Sequence, residues 1–377
     1  MKTVLVTGAQ GFVGKHLVEA LRRQPDTEVL EFHRGMELAS LGEALTRVSV
    51  IHHLAGVNRP LDPAEFETGN HGLTAELCRL LAARGCRPLI VYASTIQAAL
   101  DNPYGRSKRQ AEEELERWAA AGGGRAVIFR LPNVFGKWCR PGYNSAVATF
   151  CHNIARDLPI TVSDRARELE LVYVDEVVAS FLAAESQPLP PGQKAAGAIP
   201  QTFRVTLGRI VDTLQAFRAM RGTLAVPDMG DGFNRRLYAT YLSYLEQGNF
   251  AYALQQRSDP RGTLAEFVKQ HGFGQIFVSR TLPGVTRGNH YHHTKTEKFL
   301  VLEGEAIVRF RSILGGELIE YPVTGRELRV VDIPPGYTHS IENVGRGELI
   351  TLFWASEVFD PAAPDTVACN VLTPASP

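Results

Sequence analysis

The stretch Thr3–Gly14, TVLVTGAQGFVG, constrains the fold most: a short apolar run ends in spaced glycines and passes into a helical pattern beginning near Lys15. Glycine is needed where a turn is tight, where backbone must approach a pyrophosphate, and where a helix must lie against a strand. The amides at the start of that helix then face the anion. The same alternation continues through EVLEF, VIHHLAG, NHGLTAELCRLLAARG, LIVYAS, YGRSKRQAEEELERWAA and AVIFRLPNVFG. Strands separated by helical patterns require right-handed crossovers, so the first half is expected to be a Rossmann-like α/β, doubly wound parallel sheet.

At 377 residues the chain exceeds one ordinary core, and two domains are expected, 1–247 and 255–377. The helical stretches after the loop Gln187–Pro200 are attached to the first of them. From about Gln275 the text changes to short alternating runs such as EKFLVLEGEAIVRF and RELRVVDIPP, broken by glycine and proline, which indicate a small antiparallel sandwich or barrel. A net charge of +0 gives no electrostatic reason to seek nucleic acid or an anionic membrane surface. Five scattered cysteines without a CxxC pair read as free thiols of a reducing compartment, and no signal or span is legible at the start, so the cytoplasm is expected.

Two further features carry chemistry in the first half. His33 and Arg34 stand after the second strand where a ribose-binding acid is usual, and a guanidinium there suits a 2′-phosphate, favouring NADPH. In NPYGRSK, Pro103 opens a helix on which Tyr104 and Lys108 share a face, so that an ammonium could stabilise phenolate. About ten residues earlier a strand ends in Ser94-Thr95, whose hydroxyls could bond a substrate carbonyl.

Taken with HLAG (His53–Gly56), Asn70, RLPNVFG (Arg130–Gly136) and LVYVDEV (Leu171–Val177), this set resembles the extended short-chain dehydrogenase/reductase family, which acts largely on nucleotide sugars. The resemblance implies that Tyr104 donates a proton, that Lys108 lowers its pKa and holds the nicotinamide ribose, and that Ser94 or Thr95 polarises the carbonyl. It also implies cofactor contacts from Gly8, Gly11, Phe12, Val13, Gly14, His33, Arg34, Leu54, Ala55, Gly56, Tyr104, Lys108 and Leu131, and a substrate contact from Asn133.

In the second half, GNHYHHTKTEKF places His290 and His292 on one face of a strand while Tyr291 points away. Glu297 and His339, the latter in PPGYTHSIEN, could close a site of imidazoles and a carboxylate typical of zinc, manganese, iron or nickel. Both spaced motifs resemble those of the cupin superfamily, an all-β jelly roll. By that correspondence His290, His292, Glu297 and His339 are the ligands of one divalent transition metal, zinc first among them, and His293 is not a ligand.

A reductase followed by a cupin resembles the bifunctional capsular-polysaccharide enzymes that act on the way to UDP-N-acetyl-L-fucosamine. The resemblance implies that the cupin half epimerises C3 of a UDP-linked 4-keto-6-deoxy-N-acetylhexosamine. The first half then reduces the C4 ketone with NADPH, giving UDP-2-acetamido-2,6-dideoxy-L-talose. A homodimer is expected. The competing reading is a simple NADPH-dependent keto-sugar reductase whose cupin is a metal-stabilised oligomerisation module.

Overall fold

The computed structural model describes residues 1–259, 262–265, 268, 274–357 and 362–373. The chain divides into two compact units, residues 1–135, 142–145 and 169–205, and residues 136–141, 146–168 and 206–377.

The first unit is built on β1 (Lys2–Thr7), α1 (Phe12–Arg22), β2 (Thr27–Phe32), β3 (Val48–His53), a short turn α2 (Ala64–Phe66), α3 (Leu73–Ala83), β4 (Leu89–Thr95), α4 (Pro103–Gly122) and β5 (Arg125–Leu131). It continues through β6 (Asn133–Phe135), β7 (Glu168–Tyr173), α6 (Val174–Ala184), β8 (Lys194–Ala196) and β9 (Phe203–Thr206), with α5 (Ala146–Ile154) belonging to the other unit. Six strands pair in parallel in the order β2-β1-β3-β4-β5-β8. Alternate residues feed the two faces: Val4, Val6, Val50 and Val91 enter one core with Leu17 and Phe181, while Leu5, Ile51, Ile90 and Tyr92 enter the other with Leu77 and Leu115. Such near-continuous apolar strands are what a sheet buried on both faces requires. The order reverses between β1 and β3, so a crevice opens at their carboxyl ends, the place where this topology binds ligands. β6, β7 and β9 form a separate three-stranded sheet.

The second unit adds α5, α7 (Leu207–Thr223) and α8 (Gly232–Leu242) to a β domain. The sequence reading attaches α7 and α8 to the first domain; their packing is with the second unit instead. The Phe217 ring of α7 lies tilted against Tyr238 and Tyr241 of α8, with ring centres 4.9 and 6.0 Å away, and Arg221 pairs with buried Asp332 at 2.9 Å. Next come β10 (Ala251–Ala253), β11 (Gln256–Asp259), β12 (Gly262–Ala265), β13 (Gln275–Thr281), β14 (Thr286–Tyr291), β15 (Glu297–Glu303) and β16 (Glu305–Ser312). The chain ends with β17 (Ile319–Thr324), β18 (Arg329–Ile333), β19 (Tyr337–Asn343), β20 (Leu349–Ala355) and β21 (Val367–Ala368). Two five-stranded antiparallel sheets result, β10-β18-β15-β20-β13 and β17-β16-β19-β14-β21, the cupin-like arrangement expected. Among the described residues no helix is long and apolar enough to cross a membrane.

Candidate active site and metal centre

At the mouth of the crevice, Gly8 has φ +70°, and a Cβ there would lie 2.8 Å from the Ala55 amide nitrogen. A Cβ on Gly14 would lie 2.1 Å from the Gly8 carbonyl oxygen, so only glycine lets α1 approach β1 this closely. Gly11 caps α1 without a side-chain hydrogen bond and the first turn carries no acid, which leaves the helix amides to an anion. The helix begins at Phe12, three residues before the sequence reading places it, so Phe12 and Val13 belong to its first turn, with Val13 packed against the core. Arg34 is exposed beyond β2, and the His33 ring bonds the Arg34 carbonyl at 3.1 Å.

The floor of the crevice is a hydrogen-bond chain through His53. The Thr7 hydroxyl accepts from the amides of Leu54 and Ala55, both at 3.1 Å, and meets His53 Nδ1 at 2.7 Å. On the other side His53 Nε2 lies 3.0 Å from the Thr74 hydroxyl, which donates to the Asn70 carbonyl at 2.8 Å. The directions fix the tautomer: Thr74 has spent its proton on Asn70, so His53 donates from Nε2 and accepts at Nδ1 from Thr7. Burial and the nearby Lys108 ammonium push the His53 pKa down to about 3, consistent with a neutral ring. Asn70 in turn accepts from the Val57 amide and donates to the Val57 carbonyl, each at 2.9 Å, and to the Ser107 hydroxyl at 3.0 Å.

Pro103 opens α4 and Asn102 caps it, its side chain accepting from the Gly105 amide at 2.8 Å. Tyr104 and Lys108 then fall on one face. The structure separates the two hydroxyls that end β4. Thr95 acts on the Tyr104 phenol and its hydroxyl accepts from the Gln97 amide at 3.2 Å, whereas Ser94 donates to Glu112, which Arg130 grips at 2.6 and 3.0 Å. Neighbouring residues of a strand point to opposite faces, so only one of the pair can face the crevice. Burial raises the Tyr104 pKa above its ordinary value and the Thr95 bond offsets part of that rise, so the phenol is held protonated. Lys108 is buried, donates to the Ala93 carbonyl at 2.7 Å and lies 4.2 Å from the centre of the Tyr92 ring; burial pulls its pKa down to about 7 against the pull of Glu112. Leu131 is the register partner of Thr95, and Asn133 is exposed on β6, donating to the Glu170 carbonyl at 3.3 Å.

In the second unit the two sheets contribute to one cluster. β14 and β19 place His290 opposite His339 across a bulge at Asn289, and Glu297 opens β15 in the facing sheet. Potential ligand atoms of His290, His292, Glu297 and His339 all lie within 4.8 Å of one another. His292 Nδ1 donates to the Asp365 carbonyl and His339 Nδ1 to the Tyr337 carbonyl, which leaves a lone pair on each Nε2. Those two buried atoms make no hydrogen bond and sit 3.3 and 3.5 Å from Glu297 Oε2. Lone pairs aimed at a carboxylate repel unless a cation stands among them, so the donor set fits a divalent transition metal. Burial, with His339 and His292 beside it, pushes the His290 pKa down to about 4.

Two groups escaped the sequence reading. Asp365 accepts from the amides of His293, Thr294 and Lys295 at 2.6 to 2.8 Å, and so fixes the loop between His292 and Glu297. No local pattern marks it. Glu112, by contrast, continues the Tyr104–Lys108 spacing by one more turn, and that periodicity could have found it.

Comparison with known proteins agrees with both halves. Residues 4–193 match the NAD dependent epimerase/dehydratase family, and residues 257–367 match the polysaccharide biosynthesis C-terminal domain. The chain is 46% identical over 368 residues to UDP-2-acetamido-2,6-beta-L-arabino-hexul-4-ose reductase of Pseudomonas aeruginosa, covering 98% of each chain. Among solved structures it is similar to the capsular polysaccharide assembling protein CapF of Staphylococcus aureus, with 44% identity, a TM-score of 0.66, and coverage of 98% of this chain and 100% of that one. A UDP-glucuronic acid 4-epimerase of Bacillus cereus solved with NAD shares the fold alone, at 20% identity and a TM-score of 0.51, over 57% of this chain and 82% of that one.

Proposed function

We propose the function from one premise: the chain belongs to the NAD dependent epimerase/dehydratase family, in the form that carries a polysaccharide-biosynthesis C-terminal domain. It is a nucleotide-sugar enzyme of surface polysaccharide biosynthesis that reduces a keto sugar with a nicotinamide cofactor. The finer reading is our own. The cofactor is NADPH, the substrate is a UDP-linked 4-keto-6-deoxy-N-acetylhexosamine, and the second unit inverts C3 before the first reduces C4, on the route to UDP-N-acetyl-L-fucosamine.

In the reduction, NADPH when bound supplies the hydride. The chain supplies the proton: Tyr104, held protonated by burial, donates to the developing C4 alkoxide. Thr95, beside Tyr104, directs its hydroxyl to the same oxygen, a choice over Ser94 that the bond of Ser94 to Glu112 supports. Lys108 holds the nicotinamide ribose beside them, Arg34 receives the 2′-phosphate, and Asn133 meets the sugar.

Inversion at C3 needs the C4 carbonyl, because only an adjacent carbonyl makes that proton acidic. His290, His292, Glu297 and His339 would hold one divalent metal, zinc in the first instance, and that cation when bound offsets the negative charge left by C3 deprotonation. The observation that carries this second activity is the pair of buried Nε2 lone pairs converging on Glu297. The edge strand β13, which exposes Ile276, Phe277 and Val278 in a row, supports pairing with a second copy of the chain.

The test is incubation of the enzyme with the 4-keto sugar in D₂O without NADPH, following deuterium at C3. Exchange should persist in Tyr104→Phe and vanish in His339→Ala. Absence of exchange with intact protein would leave a simple reductase whose β domain only assembles it.

A further inference from the structure

Ser94, Glu112 and Arg130 form a cluster that the reduction as described does not use. Ser94 and Arg130 are register partners in β4 and β5, so both reach Glu112 from the same face of the sheet. Glu112 is 7% exposed, accepts from the Ser94 hydroxyl, and takes a two-pronged bond from Arg130 at Nε (3.0 Å) and Nη2 (2.6 Å). Along α4, Tyr104, Lys108 and Glu112 follow one another at four-residue intervals on a single stripe, at which spacing helix neighbours interact.

We propose that Ser94, Glu112 and Arg130 are a triad that sets the charge of the neighbouring Lys108, with Glu112 holding the proton there, Ser94 fixing the carboxylate in place and Arg130 tempering its field; the functional part of this rests on the reading of Lys108 as the partner of Tyr104. A buried ammonium needs a counter-charge or it sheds its proton. The groups facing Lys108 are Tyr92 and the Ala93 carbonyl on β4, neutral His53 on β3, and Tyr104 and Glu112 on α4. Among the described residues, Glu112 is the anion that opposes the effect of burial on Lys108. Arg130, on β5, stands on the other side of that carboxylate, half-exposed, and weakens its field at Lys108 while fixing its orientation. Ser94 completes the placement, which explains why a hydroxyl at the end of the catalytic strand turns away from the crevice.

The triad predicts two shifts of opposite sign. Glu112→Gln keeps the shape and the Ser94 bond but removes the counter-charge, so Lys108 should lose its proton at a pH lower by about one unit or more. Arg130→Gln removes a cation that both repels Lys108 and shields Glu112, so the Lys108 titration should move up. The direct readout is carbon NMR of the full-length enzyme carrying ε-¹³C-lysine, with the Lys108 resonance assigned by its loss in Lys108→Arg. The alkaline limb of kcat/KM for ketone reduction should move the same way in each variant. A salt bridge that merely cements α4 to the sheet would lower activity in both variants without opposed titration shifts. An unmoved Lys108 resonance, or shifts of the same sign, would overturn the triad. Should Glu112→Gln fail to fold by circular dichroism, the upward shift in Arg130→Gln still decides. Opposed NMR shifts with an unmoved activity limb would instead overturn the part assigned to Lys108 in the reaction.

Discussion

His53 offers the sharpest quantitative check on the crevice floor. Its ring is buried, neutral, and bonded on both nitrogens, with a pKa pushed down to about 3 by burial and by Lys108. In the unfolded chain an imidazole titrates near 6.5. Between those two values the unfolded state binds the proton and the folded state does not, so this residue's contribution to stability is full above 6.5 and falls as pH drops towards 3. At pH 5 the loss relative to pH 8 is about 2 kcal/mol, from linkage with these two pKa values. His53→Gln removes the titration. At pH 8 the variant should be weaker by about 1–3 kcal/mol, because the bridge from Thr7 to Thr74 is replaced imperfectly. On acidification to pH 5 it should then lose about 2 kcal/mol less than the wild type. The assay is urea unfolding at both pH values, with amide protection of the β3 segment, residues 48–53, as the local probe. Since Thr7 also holds the amides of Leu54 and Ala55, cofactor affinity should fall in His53→Gln before the fold is lost. Equal pH dependence in variant and wild type would refute the neutral buried ring, and with it the direction assigned to the whole chain of bonds.

Three further outcomes follow from particular contacts. Tyr104→Phe should retain cofactor binding by fluorescence titration while ketone reduction falls roughly 10²–10⁴-fold, the usual contribution of a placed proton donor. Arg34→Ala should lower kcat/KM with NADPH roughly tenfold or more and leave the value with NADH unchanged, since a charge-assisted bond to the 2′-phosphate is all that is removed. Asp365→Ala should weaken metal binding roughly 10–100-fold in a chelator competition, because the loop from His293 to Lys295 loses the acceptor of its amides and no longer anchors the backbone carbonyl that orients His292.

What could be read from the sequence was chemistry encoded at short range. Gly8, Gly11 and Gly14 reveal their purpose because the turn, the strand and the helix that need them are adjacent in the chain. Tyr104 and Lys108 are found by one helical turn, and His290 and His292 by the two-residue period of a strand. Glu297 and His339 are legible only through the spaced cupin-like motifs, since β15 and β19 lie in different sheets and only the closed β domain brings them together. The choice between Ser94 and Thr95 could not be read at all. Both end β4, and which one faces the crevice depends on where α4 places Tyr104 and Glu112 against the sheet. Asp365 was invisible for a related reason: the amides it holds are some seventy residues away. The helices α7 and α8 were assigned by order along the chain, and the buried partner that holds Arg221, Asp332, stands more than a hundred residues later.

The two sites also explain why the proposed reactions need separate places. Ketone reduction ends with a proton delivered to oxygen, and the first unit meets that need with a phenol that burial keeps protonated and an ammonium one turn along the helix. C3 inversion begins with a proton taken from carbon beside the same carbonyl, which calls for a cation facing the developing negative oxygen. Three imidazoles and a carboxylate supply the donors for that cation. A single pocket with Tyr104 poised to donate would quench the enolate oxygen and favour the enol, slowing return of the proton to C3 from the opposite face. Placing the acid in one unit and the cation site in the other removes that conflict. It also makes the order one-way: once C4 carries a hydroxyl, the C3 proton is no longer acidic, and the new configuration is fixed.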